Sequence, residues 1–136
     1  MKMSTKGRYA LTIMANLAKN YSEDRFISLK EISEKENISL KYLEKLMINL
    51  NKNDYFITSR GSSGGYKLKY NPDKYIIGDI LRSVEGDLAP VNCITNKSYC
   101  DKKEKCDTYD FWQGLYENIN KYVDSKTLKD YIKEAK

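Results

Sequence analysis

Two helix starts fall only eleven residues apart, at Ser28 and Ser39, and that spacing limits this chain more than any other feature. Ser28-Leu29-Lys30-Glu31 has the form of a capping box, in which the serine serves a free backbone N–H and the glutamate reaches back. A short helix over 29–36 follows, and Asn37 tolerates the left-handed conformation that ends it. Ser39 then caps a second helix whose Leu40, Leu43, Met47 and Leu50 are expected to face inward. Two short helices joined by so tight a turn have the shape of a helix-turn-helix, although other helical hairpins share it.

The next segment narrows the choice. Tyr55-Phe56-Ile57-Thr58-Ser59 is β-branched and aromatic, Gly61-Ser62-Ser63-Gly64-Gly65 is a glycine-rich turn, and Tyr66-Lys67-Leu68-Lys69-Tyr70 alternates as a return strand. A two-stranded wing directly after a helix-turn-helix points to nucleic acid. Arg60 at the wing's base can enter a minor groove, while backbone N–H groups of the turn meet phosphate. Charge agrees in place as well as in sum. The chain carries a net +5, and residues 39–69 hold Lys41, Lys45, Lys52, Arg60, Lys67 and Lys69 against Glu44 and Asp54. Concentrated positive charge suits a phosphate surface, though it also suits a solvated lysine face.

On either side lie further helices. Ala10, Ile13, Met14, Leu17 and Ala18 keep helical spacing behind Ser4 or Thr5; Ile77, Ile80, Leu81 and Val84 do so before Gly86. From about Asp107, Phe111, Leu115, Ile119 and Tyr122 mark a longer helix, widened by Trp112 and Val123, and a terminal helix begins near Thr127. The widened apolar face suits either extra core or a second copy of the chain in a two-fold dimer. With 40% hydrophobic and 32% charged residues a packed core is expected. No apolar run is long enough to span a membrane, and Asn16 interrupts the first apolar stretch, so a cytoplasmic protein is expected.

Cys93, Cys100 and Cys106 are the only cysteines, and the chain has no histidine. An odd number within fourteen residues makes a poor disulfide framework. Thiolates suit iron–sulfur clusters, zinc or copper(I), and Lys97, Lys102, Lys103 and Lys105 among them would favour the thiolate form. The C-x6-C-x5-C spacing does not match a zinc ribbon or finger. Asp101, Glu104, Asp107, Tyr109 and Asp110 are local candidates for a fourth ligand; three unrelated thiols that sense oxidation without metal are the alternative. Without C-x-x-C, a histidine base or a paired acid–base constellation, an enzyme is not expected.

Taken together, these residues resemble the IscR/NsrR/CymR family of bacterial winged-helix regulators over nearly the whole chain. The likeness runs through Met3-Ser4-Thr5-Lys6-Gly7-Arg8-Tyr9-Ala10, Ile38-Ser39-Leu40-Lys41-Tyr42-Leu43-Glu44, Arg60-Gly61 to Gly64-Gly65-Tyr66, and Ile77-Gly78-Asp79-Ile80. The three cysteines stand at the family's cluster-binding place. It is closest to the cluster regulators of the IscR kind.

The resemblance implies a mainly α fold with a small β-wing: a winged helix-turn-helix over 1–88, a cluster loop over 89–106, and a dimerisation helix with a terminal helix over 107–136. It implies a homodimer on a pseudo-palindromic double-stranded operator. DNA contacts are implied for Ser39, Lys41, Tyr42, Glu44 and Lys45 in the recognition helix, and for Arg60, Ser62, Ser63, Gly64 and Gly65 in the wing. Glu44 can accept from cytosine N4 yet repels phosphate, so it would select among sites. Cys93, Cys100 and Cys106 are implied as ligands of an iron–sulfur cluster, a two-iron centre in preference to a four-iron one. A histidine completes the site in one branch, where this chain has Tyr109, and a partner's aspartate does so in another, where it has Arg8. The expected function is a repressor or dual regulator that senses cluster status and controls cluster-assembly genes, with a cluster-assembly scaffold as a possible partner. The alternative is a cluster-free, CymR-like repressor of cysteine and sulfur metabolism working with a cysteine synthase.

Overall fold

The computed structural model describes residues 2–95 and 106–132. Helix α1 (Thr5–Lys19) starts where the Ser4 side chain accepts from the Lys6 N–H, 3.2 Å away. Its first turn has no acidic residue of its own. Glu85, at the far end of the domain in sequence, supplies one: its carboxylate accepts from the Gly7 N–H at 2.9 Å and from the Ser4 hydroxyl. A negative charge at that end complements the helix dipole. Ala10, Ile13, Met14 and Leu17 form the buried stripe that the spacing predicts.

Helix α2 (Leu29–Glu36) and helix α3 (Leu40–Leu50) match the expected bounds. Ser28 accepts from the Glu31 N–H at 3.0 Å, Asn37 is left-handed (φ 54°, ψ 49°), and Ser39 accepts from the Tyr42 N–H. Ser33 closes the turn between the helices, its carbonyl accepting from the Ile38 N–H and its hydroxyl donating back to the Ile38 carbonyl. The capping box is only half made, however. Glu31 turns its carboxylate to Arg25, at 2.9 and 3.1 Å, because a guanidinium offers two charge-assisted bonds where the backbone offers one. Leu40 also departs from the expected inward set: it is exposed at the helix's first turn, and Leu46 takes the buried place beside Leu43, Met47 and Leu50.

Strands β1 (Phe56–Ser59) and β2 (Gly65–Leu68) pair antiparallel, Phe56 opposite Leu68 and Ser59 opposite Gly65. They are shorter than expected, and Gly65 belongs to the strand rather than to the turn. The second edge of β2 is also occupied. Ile27 and Tyr66 exchange two backbone hydrogen bonds of 2.8 Å, which ties the wing to the segment just before α2.

Helix α4 (Ile77–Glu85) follows a single 3-10 turn at Pro72–Lys74 and ends at Gly86 (φ 78°). It packs on α1 and α3 and buries Ile77, Ile80, Leu81 and Val84. A short helix α5 (Asn92–Thr95) and the long helix α6 (Tyr109–Asp124) flank the cysteine segment and pack together. The expected terminal helix is one 3-10 turn, Leu128–Tyr131, with the Thr127–Asp130 capping box complete. It is pinned to the start of α4 by the bonds Ile77 N–H to Lys126 and Leu128 N–H to Tyr75, and it inserts Leu128 into the core.

Candidate DNA-binding face and cysteine segment

Helix α3 presents a continuous polar face. Ser39, Lys41, Glu44 and Lys45 are exposed on it, because the helical period puts them opposite the buried leucines. Tyr42 differs from the others. It is half-buried, packs against the core and meets the Tyr9 ring edge-on at 5.5 Å, so it braces α3 against α1 as well as bordering the face. Arg60, Ser62 and Ser63 are exposed at the wing's end. Gly64 and Gly65 are half-buried, and their first task is steric. A Cβ on Gly64 would come within 2.3 Å of the Ser59 carbonyl oxygen, and one on Gly65 within 2.3 Å of the Ile27 carbonyl oxygen. Gly61, at φ 101°, bends the loop in a region that other residues rarely adopt.

Charge on this side of the molecule is more selective than the residue count suggests. Lys67 pairs with Asp24, and its ammonium lies 4.8 Å from the centre of the Phe26 ring. Lys69 pairs with Asp54 at 2.8 Å, which holds the Asp54 carboxyl below its ordinary range and pushes the Lys69 ammonium up. Tyr70 donates a second bond to Asp54 at 2.6 Å. By contrast, Lys41, Lys45, Lys52 and Arg60 have no acidic group within 4 Å among the described residues. They are the cations left to meet an anionic ligand.

Of the three cysteines, Cys93 is half-buried on α5 and Cys106 is exposed just before α6; Cys100 lies outside the described residues, as do Lys97, Asp101, Lys102, Lys103, Glu104 and Lys105. The Cys106 thiol is lowered from its ordinary range, first because the Thr108 hydroxyl hydrogen-bonds it at 3.4 Å. A thiolate-prone sulfur is the donor that a soft metal centre needs. Helix α5, which carries Cys93, packs on α6, which begins three residues after Cys106. Arg8 is exposed with its guanidinium over the Tyr9 ring, and Tyr109 is the half-buried first residue of α6. Among the described residues no three Cys, His, Asp or Glu side chains converge as a metal site.

Helix α6 is joined to α4 by polar groups. Arg82 donates to Asp124 at 2.7 and 3.0 Å and to Asn120 at 2.7 Å, while Tyr116 donates to Asp87 at 2.9 Å. None of its residues is fully buried, and Phe111 and Tyr122 are 63% and 60% exposed. These long-range partners, like Ile27 and Glu85, carry no local signal in the sequence.

Residues 3–134 match the Rrf2 family model, described as an iron-dependent transcriptional regulator. The chain is 38% identical over 130 residues to the HTH-type transcriptional regulator CymR of Bacillus subtilis, across 96% of this chain and 88% of that one. It is 34% identical over 132 residues to the HTH-type transcriptional regulator IscR of Klebsiella pneumoniae, across 97% of this chain and 80% of that one. The solved structure of B. subtilis CymR, described as the global cysteine regulator, superposes with a TM-score of 0.79 at 37% identity, covering 96% and 95% of the two chains.

Proposed function

This chain belongs to the Rrf2 family and is a DNA-binding transcription regulator, and from that premise we propose that it is a homodimeric sensor of iron–sulfur status that controls cluster-assembly genes. The observation that carries the proposal is the pairing of a cation-bearing α3–wing face with three cysteines in one segment bounded by packed helices. Ser39, Lys41, Tyr42, Glu44 and Lys45 then read or border the major groove of each half-site, and Arg60, Ser62, Ser63, Gly64 and Gly65 meet the flanking groove and phosphates. The work is binding, with no catalytic step, in the cytoplasm. Residues 1–88 form the DNA-binding unit, 89–106 the sensing segment and 107–136 the dimer-forming end.

Cys93, Cys100 and Cys106 would hold the cluster, which supplies a ligand whose presence depends on iron and oxidants. The chain's own residues provide the connection to DNA. Cys106 sits three residues before α6, and Arg82 fastens the other end of α6 to α4, which packs on α1 and α3. A rearranged cysteine segment can therefore alter how the two α3 helices are spaced, provided the two arrangements bind DNA unequally.

One observation favours a second reading. Arg8 and Tyr109 stand where the resemblance places fourth ligands, and the identity to CymR is as high as that to IscR. A cluster-free repressor of cysteine metabolism is that reading. An anaerobic visible absorption spectrum with iron and sulfide assays separates the two. Charge-transfer bands with near-stoichiometric iron and sulfide, lost in the Cys93, Cys100 and Cys106 triple alanine variant while its circular dichroism stays native, support the cluster sensor. A colourless protein that resists reconstitution and retains a cysteine synthase in a pull-down supports the second.

A further inference from the structure

Helix α3 carries a residue that neither its packing nor the assigned polar face explains. Ile48 is 65% exposed. At about 100° per residue, the buried Leu43, Leu46, Met47 and Leu50 define one side of the helix. Ile48 then falls within about 30° of the line directly opposite, between Lys41 and Glu44 around the helix. It therefore occupies the crest that α3 turns outward.

An isoleucine there gains little from folding, since most of its surface stays in water. It is a poorer helix former than the lysine or glutamine that a solvated crest favours. Single exposed apolar residues are common on proteins. This one stands on the outermost line of the helix that faces nucleic acid, with Lys41, Glu44 and Lys45 as its neighbours. It cannot bind phosphate, and the major groove offers an apolar side chain one partner, the C5-methyl group of thymine.

We propose that Ile48 is a specificity-determining residue that reads a thymine methyl in each half-site, beside the base that Glu44 approaches. The inference rests on the assignment of α3 as the reading helix. Glu44 lies one turn earlier, about 6 Å along the helix axis, so the thymine falls within about two base-pair steps of that base.

The test uses the full chain and duplexes selected by it from a randomised pool. Each thymine of the selected half-site is replaced in turn by deoxyuridine, which pairs normally but lacks the methyl. At one thymine per half-site, affinity is expected to drop about fourfold, and about fifteenfold with both half-sites substituted. Ile48→Ser should bind the thymine duplex that much more weakly and no longer distinguish thymine from deoxyuridine there, with an unchanged melting temperature; Ile48→Val should still distinguish them. No deoxyuridine penalty at any thymine, or one that persists undiminished in Ile48→Ser, overturns the inference. A Lys41→Ala, Arg60→Ala double variant that binds as tightly as the wild type overturns the assignment of the face itself, and the inference with it.

Discussion

Helices α3 and α6 are both amphipathic, yet they end differently within one chain. Helix α3 buries Leu43, Leu46, Met47 and Leu50 to 3% exposure or less and turns charge outward. Helix α6 grips its own domain with Arg82, Asn120, Asp124 and the Tyr116–Asp87 bond, and leaves Phe111 and Tyr122 in solvent. The chain completes the apolar side of α3 by itself and the polar side of α6. What is left over on α3 suits a polyanion, and what is left over on α6 suits another protein surface. An amphipathic pattern therefore tells that a face needs a partner, but not whether the same chain supplies it.

The largest effect should come from the completed side. Leu43→Ala removes a fully buried side chain and should cost about 2–5 kcal/mol, read by urea unfolding and independent of protein concentration. Phe111→Ala should leave that unfolding midpoint unchanged at concentrations where the chain is monomeric, yet raise the dimer dissociation constant roughly tenfold in sedimentation experiments. If Phe111→Ala instead unfolds the monomer, α6 is core and the contrast fails.

Arg82→Ala probes the polar clasp. The pair is partly exposed, so about 1 kcal/mol or less is expected. Its signature is faster amide exchange in the last turn of α6 with the α1–α4 core unchanged. The smallest effect concerns Arg25 and Glu31 at the start of the helix-turn-helix. The Arg25 guanidinium holds the Glu31 carboxyl below its ordinary 4.5. A lowered carboxyl stabilises the fold above its unfolded pKa, and that contribution is lost as pH falls through the folded value. Both groups are nearly half exposed, so roughly half a kcal/mol or less is at stake. Arg25→Gln should flatten the acid limb of stability below about pH 4.5 by that amount.

The helix-turn-helix was legible because its signals are local. Ser28, Asn37 and Ser39 act on backbone groups no more than about four residues away, and the glycines of the wing answer a backbone need within one turn. The exposed polar face of α3 was legible for the same reason, since helical period alone separates Lys41, Glu44 and Lys45 from the buried leucines. Leu40 shows the limit of periodicity at a helix's first turn, where the side chain lies at the rim of the core. The cysteine triad could be read as chemistry but not as geometry, because its spacing in sequence does not say which donors converge.

The sequence by itself determined the order of the main elements, the two capped helices and the glycine-dependent wing, since each follows from interactions within a few residues. Only the tertiary structure decided that Ile27 closes the second edge of β2, that Glu85 caps α1, that Asp24 and Asp54 neutralise two of the wing's lysines, and that Arg82 holds α6. Those pairs lie 15 to 81 residues apart. Which acid meets which base over such distances is set by the packing of the core between them, not by any local preference of the chain.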